Sequence, residues 1–233
     1  MVDEPDSLAL AARPFVPRSL LTIFAGIFAL SFIGVSADGF GSVHGLLADP
    51  ARASICVGLL LLAILTPICG CNLSSGDQID LSNDWIFVVM LVAGMAMGWA
   101  AAHDDRHNLH TIGGQTVRWI GVATFAVGFL FRVQAIRTLG SRFTVWVALQ
   151  SNHHLTTTGL YRFIRHPSYT GAALTVLGWA ITFRSVLGIV LAAVVLVPLI
   201  SRIGAEEQLL IDEFGDQYRQ YRRRTWRLCP FVY

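Results

Sequence analysis

The stretch PSYTGAALTVLGWAITFRSVLGIVLAAVVLVPLIS, residues 167–201, decides the fold. Its single charged residue is Arg184, which divides the stretch into two apolar runs. Each run lies at the lower end of the roughly 17–25 residues with which a helix spans a bilayer. We therefore predict a helical hairpin in the membrane, with its turn at Arg184.

Four further windows without Asp, Glu, Lys or Arg precede this hairpin, at 19–37, 53–76, 85–102 and 119–131. Charged residues make up only 14% of the chain, against about 25% in a typical soluble domain. Three windows are long enough to span a bilayer, and the fourth becomes so if Arg132 extends its charge to the interface. The sequence therefore predicts an all-α integral membrane protein with about six hydrophobic helices.

A cationic corner comes just before the hairpin, where the sequence contains Arg162, Arg165 and His166. The N-terminus of a helix carries a partial positive charge and favours anions, so cations at this position indicate a site for an anion. A hairpin places the start of one arm near the end of the other. We therefore expect residues 162–169 to lie beside residues 202–207, which contain Arg202, Glu206 and Glu207.

The stretch RIGAEEQLLIDEFGDQYRQYRRRTWRLCP, residues 202–230, has the pattern of an amphipathic helix. Apolar and aromatic residues recur at helical spacing, namely at Ile203, Leu210, Phe214, Tyr218 and Tyr221. Gly215 is a point at which this helix is expected to be interrupted. The opposite face is charged, which predicts a helix on the cytosolic surface of the membrane.

Arginines near the ends of the hydrophobic windows predict the orientation, because cytosolic loops carry the excess of basic residues. They concentrate before the first window, after the fourth, and after the hairpin. We therefore expect both termini in the cytosol, and the absence of Lys suggests a bacterial inner membrane. The expected organisation is a mobile tail at 1–17, four transmembrane helices within 18–136, and a cofactor-binding and catalytic region at 137–233.

The segment HDDRHNLH, residues 103–110, contains His103, His107 and His110. This spacing is used for metal in di-iron membrane oxygenases, but such sites need several histidine clusters and this chain has seven His in all. We interpret the segment as a solvated interfacial loop and predict no metal. Dinucleotide and phosphate-loop motifs are also missing from the sequence, and we predict no nucleic-acid partner.

Two segments resemble the isoprenylcysteine carboxyl methyltransferase family and its prokaryotic relatives. They are HHLTTTGLYRFIRHPSYTG, residues 153–171, and EEQLLIDEFGDQYRQYRRR, residues 206–224. The agreement is specific, because many separated positions match in order and spacing. Thr156 replaces the usual Val of the pattern, and Leu160 stands where Pro is common.

The resemblance implies S-adenosylmethionine as the methyl donor and a lipophilic or lipidated substrate that enters from the membrane lipid. By position, the cofactor pocket would be lined by His153, Leu155, Thr156, Tyr161, His166, Pro167, Ser168, Tyr169, Glu206 and Glu207. The catalytic candidates are Arg165, Arg202 and Glu206, with Arg202 facing the substrate, most naturally a carboxylate. An amine or thiol acceptor would need a base, for which His166, Glu206 or Glu207 could serve.

Two alternatives are consistent with parts of the sequence. Membrane sterol or isoprenoid double-bond reductases, which use NADPH, share the R-H-P-x-Y motif, and the tail WRLCPFVY resembles theirs. They usually lack the paired glutamates after the hairpin, so Glu206 and Glu207 favour methyl transfer. A non-enzymatic membrane protein that keeps the fold is the second alternative.

Overall fold

The computed structural model describes residues 18–70, 78–79, 84–140, 143, 148–149 and 155–230. The predicted all-α class is confirmed. The main elements in chain order are α1 Arg18–Phe40, α2 Val43–Leu47, α3 Pro50–Ile68, α4 Asp84–His107, α5 Gln115–Leu139, α6 Pro167–Thr182, α7 Val186–Phe214 and α8 Asp216–Arg224. A two-residue antiparallel pair joins β1 Gln78–Ile79 to β2 Ala148–Leu149, and a 3₁₀ turn spans Gly159–Arg162.

Helices α1, α3, α5 and α7 are each long and apolar enough to cross a membrane. Apart from residues 69–70, the described part of each of the four windows before the hairpin lies within a helix. Helix α6 has 16 residues, which is short for a membrane span. The integral membrane class is thus supported by four helices, and the number of about six hydrophobic spans remains a prediction.

The predicted hairpin is formed by α6 and α7, with its turn at Arg184, whose φ is +56°. The Ser185 side chain caps α7 by accepting a hydrogen bond from the Gly188 N–H. The second arm is longer than the sequence indicated, because α7 runs through Arg202 to Phe214. The Arg202 side chain is buried against Tyr169, so its charge does not end the helix. Gly215, with φ of +51°, separates α7 from α8.

Helices α5 and α6 pack antiparallel, and so closely that their backbones are in contact. A β-carbon added to any of four glycines would lie 2.3–2.7 Å from a backbone nitrogen of the facing helix, at Gly121, Gly128, Gly171 and Gly178. Small residues permit this approach, as is common between helices in lipid. Because α5 continues two turns beyond Arg132, the start of α6 is recessed beneath the end of α5.

The expected loop at 103–110 is wrong for residues 103–107, since α4 continues to His107. The Asp104 and Asp105 side chains are buried there. Asp105 accepts hydrogen bonds from Arg52, Arg118 and Arg184 at 2.7–3.0 Å. These four residues connect the α2–α3, α4–α5 and α6–α7 turns. They lie at the end of α6 opposite to its start at Pro167, and we call them the opposite-face ion cluster. Paired charges compensate each other inside the protein, which is why so polar a segment is buried and helical.

Two of the three histidines of this segment, His103 and His107, lie against each other on α4. The ring centroids of His103 and His107 are 4.6 Å apart, and His103 stacks on Trp99 at 4.9 Å. Among the residues that the structure describes, no group of three or more His, Cys, Asp or Glu side chains could hold a metal ion.

Candidate functional site

The start of α6 meets the part of α7 that contains Arg202, Glu206 and Glu207, as the hairpin predicted. The Arg202 Nε donates to the Tyr169 hydroxyl at 2.8 Å, and that hydroxyl donates to Glu206 Oε2 at 2.8 Å. A cation, a phenol and a carboxylate thus form one chain of hydrogen bonds. The Glu206 side chain remains 33% exposed, so its carboxylate is accessible to a ligand.

Glu207 has a different environment, although it is the next residue in the sequence. Its carboxylate accepts from Arg165 Nε at 2.9 Å and from Arg227 Nη2 at 2.8 Å. The His166 Nε2 lies 3.3 Å from the same carboxylate, whose side chain is 4% exposed. Two guanidinium groups hold Glu207 in its ionised form. It therefore positions other residues, and it is a poor candidate for the base suggested from the sequence.

The segment after α8 closes over the start of α6. The backbone N–H groups of Arg165 and His166 donate to the carbonyls of Trp226 and Arg227, at 2.8 and 3.2 Å. The Arg165 guanidinium also donates to the carbonyls of Arg222 and Thr225. Arg165 is thus largely occupied by protein acceptors, and its contribution to the site is to fix the C-terminal segment against the hairpin.

A cavity of about 650 Å³ opens beside this chain of hydrogen bonds, within the range typical of small-molecule sites. Its polar end is lined by Leu155, Thr156, Tyr161, Arg165, His166, Ser168, Tyr169, Arg202, Glu206, Tyr218 and Tyr221. Its apolar end lies among the membrane helices and is lined by Phe28, Phe32, Leu59, Met90, Leu91, Met97, Phe125, Val176, Trp179, Val195 and Leu199. We call the apolar end the slot.

Most sequence-predicted site residues line the polar end. Pro167 and Glu207 lie next to the cavity without lining it, since Pro167 starts α6 and Glu207 is enclosed by arginines. His153 lies outside the described residues. Whether any of these residues binds a cofactor stays a prediction.

The polar end contains hydroxyl groups that fit a polar ligand. The Thr156 Oγ1 and the Tyr218 Oη are buried without a hydrogen-bond partner among the described residues. Burial, reinforced by the charges of Glu207 and Glu206, raises the pKa of Tyr218. Burial and the charge of Glu206 likewise raise the pKa of Tyr161. Both phenols therefore stay protonated at neutral pH and can donate hydrogen bonds.

These groups fit the zwitterionic cofactor that the sequence resemblance implies. A carboxylate such as Glu206 suits a cationic group, guanidinium groups suit a carboxylate, and the unpartnered hydroxyls suit polar ring or ribose atoms. A buried hydroxyl without a partner costs free energy in the absence of a ligand. The donor set is thus better explained with a ligand than without one.

Arg132 is a site residue that the sequence interpretation missed. It was expected to extend towards the interface, but it lines the cavity from α5 and donates to the Ser168 carbonyl and hydroxyl oxygens at 3.3 Å. The sequence contained a signal for this role, because an ionisable residue inside an apolar helix usually faces the interior of the protein and has a functional role.

Residues 116–217 match the family model described as phospholipid methyltransferase. The chain is 38% identical over 117 residues to a protein-S-isoprenylcysteine O-methyltransferase of Schizosaccharomyces pombe, covering 47% of this chain and 50% of the relative. It is 33% identical over 120 residues to protein-S-isoprenylcysteine O-methyltransferase B of Arabidopsis thaliana, covering 49% and 61%. It is 42% identical over 72 residues to methanethiol S-methyltransferase 1 of Bradyrhizobium diazoefficiens, covering 31% and 25%.

The fold is similar to a solved structure, that of the eukaryotic intramembrane Ras methyltransferase ICMT. The TM-score is 0.55 at 22% identity, covering 92% of this chain and 83% of that one. The aligned regions span only about half to three fifths of the isoprenylcysteine relatives reported above. Over this region, the resemblance to the isoprenylcysteine carboxyl methyltransferase family that the motifs predicted is confirmed.

Proposed function

We propose, on the premise of this family resemblance, that the chain is an integral membrane methyltransferase that uses S-adenosylmethionine to methylate a lipophilic acceptor. The observation that carries the proposal is the continuity of one cavity. A polar end with Arg202, Tyr169 and Glu206 leads directly into an apolar slot between membrane helices. Such a cavity suits a polar cofactor at one end and a hydrocarbon tail at the other.

The side wall of the slot supports entry of the acceptor from the bilayer. Phe28 of α1 and Leu91 of α4 line the cavity, yet they are 46% and 43% exposed. The surface around these helices faces lipid in a membrane protein, so an apolar tail can reach the slot between α1 and α4 without crossing water.

The acceptor atom that the site suits best is a carboxylate oxygen. A carboxyl group with an ordinary pKa is ionised at neutral pH, so the chain need not supply a base. Arg202 would hold the acceptor carboxylate, and Glu206 with the hydroxyls of Thr156 and Tyr218 would hold the cofactor. The bound cofactor supplies an electrophilic methyl group, and the protein supplies alignment and exclusion of water.

A thiol or amine acceptor would need a proton acceptor in the site. Glu207 is engaged by two arginines, so the base would have to be Glu206 or His166. Because the chain is similar over 72 residues to a methanethiol S-methyltransferase, a thiol should also be tested as the methyl acceptor. The relatives reported above are all named methyltransferases, which favours methyl transfer over the reductase alternative.

The cofactor is tested by calorimetric titration of the purified protein in detergent with S-adenosylmethionine and, separately, with NADPH. We expect saturable micromolar binding of S-adenosylmethionine alone. Glu206→Gln should abolish this binding while the variant remains monodisperse. Glu213→Gln, an exposed position on the same helix, is the matched control. Binding of NADPH alone, or normal cofactor affinity in Glu206→Gln, would refute the assignment.

We also propose that residues 137–233 carry the cofactor contacts and that both termini face the cytosol of a bacterial host. The region within 18–136 is more than a membrane anchor in this proposal, because α1, α3, α4 and Arg132 of α5 supply walls of the cavity. Choice of substrate would then depend on the part of the chain that carries no recognisable motif.

A further inference from the structure

A group of exposed arginines lies outside the cavity, beside the start of α6. Arg162 ends the 3₁₀ turn, and the last turn of α8 contributes three further arginines. All four are exposed, and among the residues that the structure describes none of the four forms an ion pair. None of them lines the cavity. We define the basic surface as Arg162, Phe163, Arg222, Arg223 and Arg224.

The basic surface is formed by two segments that backbone hydrogen bonds hold together. The Trp226 N–H donates to the Phe163 carbonyl at 3.0 Å, and the Arg165 N–H donates to the Trp226 carbonyl at 2.8 Å. The Arg165 guanidinium also donates to the Arg222 carbonyl at 3.1 Å. The end of the 3₁₀ turn and the end of α8 are therefore neighbours, and their charges act on the same partner.

An exposed aromatic ring lies within the basic surface. Phe163 is 54% exposed, and the Arg162 guanidinium carbon is 5.7 Å from the centroid of its ring. The dipole of α8 favours cations at its C-terminal end, but it gives no reason for an exposed ring beside them. A ring among cations fits a partner in which an apolar layer lies directly behind an anionic one. A lipid leaflet with anionic headgroups has this layering, whereas a nucleic acid or an acidic peptide does not.

The end of α5 places the basic surface at the level of the lipid headgroups. Helix α5 has 25 residues, which corresponds to about 37 Å and exceeds the roughly 30 Å of hydrocarbon in a bilayer. A β-carbon added at Gly159 would lie 3.3 Å from the hydroxyl oxygen of Thr138, in the last turn of α5. The 3₁₀ turn that carries Arg162 therefore lies beside the end of a helix that is long and apolar enough to cross a membrane.

We infer that the basic surface binds anionic headgroups of the surrounding lipid leaflet, with the Phe163 ring at the boundary between headgroups and acyl chains. The guanidinium fork suits a lipid phosphate, and the methylene stem of arginine can lie along apolar surface. Each basic residue close to an anionic leaflet strengthens binding by a factor of about five. The other side of α8 lines the polar end of the cavity through Tyr218 and Tyr221, so bound lipid would also hold this wall in place.

The inference is tested by the lipid composition next to α8. In a variant without native cysteines, a fluorophore attached at Gln220→Cys would be quenched by nitroxide-labelled phosphatidylglycerol or phosphatidylcholine in phosphatidylcholine nanodiscs. Because nitroxide quenching acts at short range, only lipids beside α8 are detected. We expect phosphatidylglycerol to be enriched at least about tenfold over phosphatidylcholine, and the enrichment to fall at high salt. The test uses neither cofactor nor methyl acceptor, so its outcome is independent of the proposed function.

Variants separate the charge of the basic surface from its aromatic ring. Arg223→Gln should lower the enrichment about fivefold, and its combination with Arg222→Gln and Arg224→Gln should lower it to less than about twofold. Phe163→Ala should weaken quenching by both lipids alike, because the ring contributes apolar contact and no charge. Arg106→Gln removes the same charge in the last turn of α4. It is the matched control and should keep the wild-type enrichment.

Enrichment below about twofold in the wild type would overturn the inference, since four basic residues at a leaflet should exceed it. Enrichment that persists in the triple arginine variant would also overturn it, because another part of the chain would then attract the lipid. A third result would assign the surface to an acidic protein instead. In that case soluble polyglutamate binds the wild type but not the triple variant, and phosphatidylglycerol is not enriched. The single variant Arg223→Gln keeps the test decisive if the triple variant fails to fold.

Discussion

At the scale of single residues, the two adjacent glutamates have separate tasks. The Glu206 carboxylate faces the cavity and contacts Tyr169. The Glu207 carboxylate joins Arg165 of the hairpin to Arg227 of the C-terminal segment. Successive residues on a helix point about 100° apart, so one neighbour reaches the ligand space while the other reaches the protein behind it. Loss of Glu206 should therefore produce a different defect from loss of Glu207.

Arg202→Ala should separate substrate binding from cofactor binding. Under the proposed function, the acceptor loses its cationic partner, and KM should rise by about tenfold to a hundredfold, as for loss of a hydrogen bond to a charged group. Affinity for S-adenosylmethionine should remain nearly unchanged. Steady-state kinetics with a prenylated carboxylate, together with calorimetry, measure the two effects. Arg219→Ala, at an exposed position that pairs with Asp216, is the control, and a loss confined to cofactor affinity would show that the role of Arg202 is wrong.

Arg227→Gln should act on stability. Glu207 would lose one of its two guanidinium partners while keeping Arg165 and His166. We expect the free energy of unfolding to fall by about 1–3 kcal/mol, the cost of leaving a buried polar group partly unsatisfied. Denaturant titration in mild detergent measures the change. The exposed Arg223 provides the control variant Arg223→Gln, and equal stability of the two variants would contradict the anchoring role of Arg227.

At the scale of helices, the contact between α5 and α6 determines where the polar end of the cavity lies. The four glycines let the two backbones approach, and Arg132 thereby reaches Ser168 at the start of α6. If the helices were moved apart, the Arg132 guanidinium would lose its contact and the polar end would widen.

Gly178→Ala should test this close packing. The added methyl group would lie 2.4 Å from the backbone nitrogen of Phe125, where no flexible side chain can move aside. We expect a loss of about 1–3 kcal/mol from overpacking and a lower Tm in detergent. Gly34→Ala, which would meet no atom within 4 Å on α1, should leave the Tm unchanged or raise it. An unchanged Tm in Gly178→Ala would show that the helices can separate at little cost.

Sequence reasoning succeeded where periodicity and hairpin geometry decide the outcome. The turn at Arg184 and the contact of residues 162–169 with 202–207 follow from one interrupted apolar run. Sequence reasoning failed where the environment of a residue depends on a partner that is distant in sequence. Nothing local shows that Asp105 finds Arg52, Arg118 and Arg184, so the segment resembled a solvated loop. The direction in which Arg132 points depends on α6 in the same way.

At the scale of the whole molecule, the opposite-face ion cluster bears on orientation. Arg52, Arg118 and Arg184 lie on the face opposite the proposed catalytic site, and all three pair with Asp105. Asp49 and Asp104 lie at the same face, where Asp49 is 3.7 Å from Arg118 and Asp104 accepts from Ser185. Three arginines thus meet three aspartates at this face, where Arg106 in the last turn of α4 is a fourth arginine. Basic residues are concentrated at the other face, for example on α8, which ends in Arg222, Arg223 and Arg224.

A cytosolic α8 is therefore the expected orientation, since retained basic charge marks the cytosolic side. In a variant without native cysteines, Gln220→Cys on α8 and Leu109→Cys near the ion cluster, both at exposed positions, would be treated with a membrane-impermeant maleimide. In intact bacterial spheroplasts, Leu109→Cys should be labelled at once, and Gln220→Cys only after the membrane is permeabilised. The reverse pattern would place the polar end of the cavity outside the cytosol. It would separate that end from a cytosolic cofactor supply and so would count against the proposed methyl transfer itself.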